Sequence, residues 1–159
     1  MFKMTLKTGV LMIILAIAAF AAWVDGSALL DDPWDWQHTA LFSQFFHGSI
    51  SAEHQISQLD FFLYSAKFRP FYPVLMIISS LGLIVLSAYH LLKKEPKRFA
   101  YFLFVMSAGA FALSYGISSS PTVGGFIFFL LWLASGILFI LSAAWILRKG
   151  SFRQDQVNA

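Results

Sequence analysis

The sequence predicts an all-α membrane protein, a four-transmembrane-helix bundle with a structured, partly helical outer segment between the first and second spans. Three observations carry that prediction. Apolar residues make up 58% of the chain and charged residues 12%, against roughly 45–50% and about 25% in a soluble domain. Four apolar stretches approach the roughly 20 residues that a helix needs to cross about 30 Å of hydrocarbon. Lysine and arginine fall mainly on one side of those stretches, and aspartate and glutamate mainly on the other.

The first span, about 8–24, reads "TGVLMIILAIAAFAAWV". Lys3 and Lys7 precede it, and Ala19 and Ala21 satisfy the A-x-A pattern of a signal-peptidase site, so cleavage competes with retention. The length of the apolar run and the interfacial anchor Trp23 favour a retained span. Either way, the segment that follows is sent outside. Spans two to four are expected at about 71–92, 99–118 and 124–147. The chain reads as a single membrane domain, 1–159.

Two basic residues precede span one, four lie in "KKEPKR" (93–98) and three follow span four, against only Lys67 and Arg69 in the first outer segment. The positive-inside rule therefore places both termini and the 93–98 loop in the cytoplasm, in a multi-pass protein of the plasma membrane. Six of the eight acidic residues (Asp25, Asp31, Asp32, Asp35, Glu53 and Asp60) lie in the outer segment, 25–70. The basic balance of the whole chain is explained by this topology, and no nucleic-acid partner is expected. Membrane lipids are the expected partners, with a membrane or envelope protein as a further candidate; oligomeric state is left open.

The outer segment is too long for a turn. In "AEHQISQLDFFLYSAKF", Ile56, Leu59, Phe62, Leu63 and Ala66 recur at helical spacing, which predicts an amphipathic helix with Ser51 as N-cap, ended by "RPFYP". A second short helix between Pro33 and Phe46 would turn Trp34, Leu41, Phe42 and Phe45 toward lipid. Within "DDPWDWQH" (31–38), Asp31 or Asp32 is expected to cap a helix start with Pro33 in its first turn. Trp34 and Trp36 are expected in the outer aromatic belt.

Inside the spans, small residues repeat every four positions. Ala108, Ala112 and Gly116 predict a close-packing ridge, within the chain or between chains, that makes span three the central helix; Ala18 and Ala22 in span one, and Ala134, Ser135 and Gly136 in span four, are comparable. Spans one, three and four hold no Asp, Glu, Lys, Arg or His, and span two holds only His90 of these, near its end, which argues against an ion-coupled transporter and against a bis-histidine haem. The absence of cysteine excludes disulfides, thiol redox chemistry, iron–sulfur clusters and Cys-ligated zinc. No cofactor and no catalytic residue is expected. The weak candidates for metal are Asp31, Asp35 and His38, which would share a face only if that stretch were helical.

The stretches "WVDGSALLDDPWDWQHTALFS" (23–43) and "ISQLDFFLYSAKFRPFYPVLM" (56–76) resemble the YjdJ-like family of small uncharacterised integral membrane proteins of endospore-forming Gram-positive bacteria. The resemblance implies an intact first span, a plasma-membrane location and a structured outer segment, and it implies no activity. The leading expectation is a non-enzymatic protein with a structural or interaction role through its outer cap. The alternative is a metal- or small-ligand-sensing module built on the acidic and histidine residues of that cap. A third reading, a claudin-like tetraspan with a sheet in the outer loop, is opposed by the lack of cysteines and by the helical period.

Overall fold

The computed structural model describes residues 2–155. The side chains of Lys3 and Arg153, which contribute to the charge bias, lie outside the described residues. Seven α-helices follow in order: α1 Phe2–Gly26, α2 Trp36–Thr39, α3 Leu41–His47, α4 Gln58–Phe68, α5 Phe71–Leu92, α6 Pro96–Ile117 and α7 Val123–Asp155, with 3-10 turns at Ser27–Asp31 and Glu53–Gln55. No strand occurs among the described residues, so the claudin-like reading is set aside. Four of the helices, α1, α5, α6 and α7, are long and apolar enough to cross a membrane, which suggests a multi-pass membrane protein.

The chain forms two compact units. One comprises the residues through Gly82 together with Thr122–Gly125; the other comprises Leu83–Pro121 and the chain from Phe126 onward.

In the first unit, α4 lies against the last turns of α1. Gly26 is buried, and a β-carbon built on it would stand 1.9 Å from the carbonyl oxygen of Phe61. Ala22 and Ala18, one and two turns earlier on the same face, are also buried. The four-residue spacing of small residues in α1 thus lets the backbone of α4 approach closely, as close helix packing requires. The first turn of α7 meets the other end of α4: a β-carbon on Gly124 would lie 2.0 Å from the carbonyl oxygen of Ala66. The end of α1 and the start of α7 are therefore both held against one short helix.

In the second unit α6 and α7 run antiparallel. Ser107 Oγ donates to the Gly136 carbonyl at 2.9 Å and Ser114 Oγ donates to the Phe129 carbonyl at 3.1 Å. Seven residues forward on α6 thus match seven residues back on α7. Seven further in the other direction the same register pairs Ala100 with Ala143, and both are fully buried in a cluster with Leu103, Val85 and Phe139. Pro96 opens α6 at its first turn, where its missing N–H costs nothing.

As a packing face within the chain, the expected ridge on this helix is corrected. Ala108, Ala112 and Gly116 are all exposed, and nothing lies within 4 Å of a β-carbon built on Gly116. The packing face is Ala100, Leu103, Ser107, Ala110 and Ser114. Serine wins over the alanine and glycine stripe because its hydroxyl gains a carbonyl acceptor on α7, so that face gains hydrogen bonds as well as close approach. Of the residues named on span four, Gly136 is buried against Phe111, Ser135 bonds back to the Leu131 carbonyl of its own helix, and Ala134 is exposed.

Candidate functional site: the cap between the first two long helices

Residues 27–69 fold as a cap on the end of α1, built from two short helices, two 3-10 turns and α4. It begins with a proline turn. The Asp35 N–H donates to the Asp32 carbonyl at 3.1 Å across Pro33 and Trp34, the arrangement that proline's fixed φ favours at the second position of a β-turn. One helical turn, α2, follows. No side chain caps it, so the expected capping role of Asp31 or Asp32 does not arise; both are exposed. The Asp32 carbonyl closes the proline turn through the backbone, and the two carboxylates stay in solvent rather than folding onto α2.

The two tryptophans of this stretch have different roles. Trp34 is 74% exposed, with its ring edge against His38. Trp36 is 8% exposed and packs with Leu29, Ala40 and Phe61, with Trp23, Leu30, Ile50, Ile56 and Tyr64 around them. Its indole Nε1–H donates to the Leu29 carbonyl at 2.8 Å. Trp36 is therefore the core of the cap, which corrects its placement in an aromatic belt. The reason is local: the 3-10 turn presents a carbonyl that the indole can satisfy only from inside. Trp23 is half-buried and packs between Phe20 and Phe61.

The carboxylate that does cap a helix comes from far along the chain. Asp60, with no exposed surface, accepts the Phe42 and Ser43 backbone N–H groups at 2.9 Å each and the Ser43 hydroxyl at 2.5 Å. These are amides of the first turn of α3, which have no intrahelical acceptor, and a negative charge at a helix N-terminus is favoured. The Ser43 hydroxyl in turn accepts the Ser57 N–H at 2.6 Å. Ser57 is the N-cap of α4, its Oγ accepting from the Leu59 N–H at 3.3 Å. One carboxylate and two hydroxyls thus join the starts of both helices.

The expected α4 is corrected in two respects. It starts at Gln58, after Ser57, because the side chain of Gln55 folds back onto the N–H groups of Ser51 and Ala52 and closes a separate turn there. Its buried face is Asp60, Phe61 and Ser65, whereas Leu59 is exposed. The helical period was legible but its phase was not, since two of the three inward residues are polar and are buried by hydrogen bonds.

A second polar group closes the other side. Lys67 Nζ donates to Thr39 Oγ1 at 2.8 Å, stands 3.7 Å from Asp35 Oδ1 and lies over the Phe68 ring. Asp35 and Thr39 are both buried. Arg69 pairs with Asp25 at 3.3 Å, joining the end of α4 to the end of α1. Tyr64, packed beside this group, has its phenol pushed above the usual value, chiefly by burial and then by the negative charges of Asp35, Asp32 and Asp31, with Arg69 opposing.

Asp31, Asp35 and His38 are not brought together. Asp35 turns inward to Lys67, while Asp31 and His38 are exposed, and among the described residues no three His, Asp or Glu side chains converge. Two of the residues that organise the cap, Ser43 and Asp60, carry one faint signal in the sequence: polar residues interrupting apolar runs, as in "LFSQFF" and "QLDFFL".

The assembly from α1 through the cap to α5 is also where the chain matches known proteins. Residues 5–92, more than half of the sequence, match the Domain of unknown function (DUF4306). The chain belongs to this family. A relative, the Uncharacterized protein YjdJ of Bacillus subtilis (strain 168), is 48% identical over 84 residues, which cover 52% of this chain and 74% of the relative. The resemblance read from 23–43 and 56–76 therefore holds, and the family is an uncharacterised one. The DUF4306 match contains the whole cap, with Gly26, Asp60 and Lys67, and ends with α5; α6 and α7 lie outside it. No solved structure matches the chain.

Proposed function

We propose that the chain is a non-enzymatic multi-pass protein of the plasma membrane, and that the cap is an interaction structure on its outer side. The observation that carries this reading is how the cap uses its polar residues. Asp60, Ser43, Ser57, Asp35, Thr39 and Lys67 all bond to the cap's own backbone or to one another, and among the described residues no buried side-chain nitrogen or oxygen lacks a partner. Beside exposed polar residues such as Asp31, Asp32, His47 and Glu53, the cap turns five large apolar side chains outward: Trp34, Leu41, Phe42, Phe45 and Phe46. A contiguous exposed patch of this kind marks an interaction surface.

The topology is supported by two independent features. The end of α1 and the start of α7 both meet α4, as they would with both termini on the opposite side, and the Lys and Arg bias names that side the cytoplasm. In-cell photocrosslinking tests the function. A photoreactive residue at Trp34 or Phe45 is expected to capture a reproducible lipid or protein adduct, and the same residue at buried Trp36 is expected to yield only intramolecular products. Equal silence at Trp34, Phe45 and Trp36 would contradict the reading.

A further inference from the structure

The third helix has its polarity inverted for a part of the protein that faces water. Its inward residues are polar: Ser43 is buried on Asp60, and the half-buried Gln44 donates through Nε2 to the Trp36 carbonyl at 2.9 Å. Apart from His47 at its end, its outward residues are Leu41, Phe42, Phe45 and Phe46, exposed by 55, 44, 85 and 68%. A helix bordering water turns its apolar side inward. Here the inward side is satisfied by hydrogen bonds, and the solvent suited to the outward side is apolar. Trp34, beside His38, lies one short helix before it.

The fold also fixes how far this face can stand from the hydrocarbon. Ala40, the residue from which α3 starts, packs in the same core as Trp23 in the last turn of α1. α3 packs on α4, and α4 packs on the last turns of α1, so this face stays beside the end of a helix long and apolar enough to cross the bilayer. The headgroup band on each side of the hydrocarbon is about 5–8 Å deep, the difference between a roughly 30 Å core and a 40–45 Å bilayer. No acidic or basic residue occurs between Leu41 and Phe46.

We propose that α3 seats its outward face, Leu41, Phe42, Phe45 and Phe46 with Trp34 beside it, in the headgroup–acyl boundary of the bilayer that the long helices cross. The cap is then anchored to lipid as a monotopic helix is, by large apolar side chains lying in the plane of the interface. This rests on the cap being an interaction surface and names lipid as its occupant.

The test uses the full chain, which has no native cysteine, reconstituted in phosphatidylcholine–phosphatidylglycerol vesicles. Phe45→Cys, and separately Glu53→Cys on another exposed part of the cap, are labelled with bimane. Nitroxide-labelled lipid is expected to quench position 45 several-fold more than position 53, and aqueous iodide to show the opposite order. Iodide reaching position 45 as readily as position 53, with no lipid quenching, overturns the proposal. Photocrosslinking at position 45 then separates the two claims: a protein adduct gives the face to a partner and keeps the cap as an interaction surface, whereas no adduct of any kind retires both.

Discussion

The carbonyl oxygen of Phe61 occupies the space a β-carbon would take on Gly26, at 1.9 Å from its ideal position. Backbone meets backbone there, so no side-chain rotation can relieve an added methyl group. Gly26→Ala should therefore push α4 off α1 and lower stability by about 1–3 kcal/mol, the usual range for overpacking. Thermal unfolding in detergent reads this, with Gly9→Ala as the control. Gly9 has nothing within 4 Å of its β-carbon position, and its replacement should be neutral or slightly stabilising through helix propensity.

Gly124 and Gly116 make the same contrast on α7 and α6. A β-carbon on Gly124 would meet the Ala66 and Lys67 carbonyl oxygens at 2.0 and 2.6 Å, whereas one on Gly116 meets nothing. Gly124→Ala should lower the melting midpoint and Gly116→Ala should leave it unchanged. Equal losses would restore the small-residue ridge of α6 as a packing element and contradict the serine face described above.

Trp34 and Trp36, two positions apart, should respond differently to truncation. Trp36→Ala removes the centre of the cap and should cost about 3–5 kcal/mol. Trp36→Phe keeps most of the packing and loses the bond to the Leu29 carbonyl, about 1 kcal/mol. Trp34→Ala should leave folding unchanged. Limited proteolysis between residues 44 and 55 separates them: early cleavage is expected in Trp36→Ala and wild-type resistance in Trp34→Ala.

Tyr64 gives the cap a pH limit with a definite sign. Its phenol titrates above its usual value of 10.0 in the folded chain, first because of burial and then because of the nearby aspartates. The folded state therefore holds the proton more tightly than the unfolded state. This contribution to stability is complete below about pH 10 and is lost as pH rises toward the folded value. Tyr64→Phe should remove that part of the alkaline loss, seen as a flatter dependence of the melting midpoint between about pH 9 and 11 than in the wild type.

The long helices were legible because the bilayer imposes their length and apolar content, and no tertiary detail is needed to find them. The phase of a helix within that frame was not. Period alone gives Ala108, Ala112 and Gly116 the same standing as Ala100, Ser107 and Ser114, and only the positions of the Gly136 and Phe129 carbonyls on α7 decide between the two faces. In the cap, Trp34, Leu41, Phe42 and Phe45 were read as outward and are exposed, since an apolar run without internal polar partners announces its own face. Asp60 was hidden for the converse reason. Its role depends on amides 17 and 18 residues away, and no local pattern encodes a cap donated across that distance. Trp36 was misread because a tryptophan near the end of a span satisfies two rules, and the Leu29 carbonyl that chooses between them exists only once the 3-10 turn has formed.

Removing the Asp60 carboxylate should cost more than an ordinary cap. Asp60→Ala leaves two helix amides and the Ser43 hydroxyl without their acceptor in a buried site, each with a desolvation cost of about 1–3 kcal/mol, beyond the usual 0.5–2 kcal/mol of an N-cap. Asp60→Asn keeps one acceptor oxygen and should fall between Ala and wild type in chemical denaturation.

The cap is a folded unit organised by that carboxylate, and amide hydrogen exchange at Phe42 and Ser43 tests this most directly. First-turn amides of a helix exchange quickly because nothing in the helix accepts their hydrogens. Here slow exchange is expected at Phe42 and Ser43 in the wild type, and exchange at near-random-coil rates at these two positions in Asp60→Ala while α5 and α6 stay protected. Fast exchange at both positions in the wild type would contradict it.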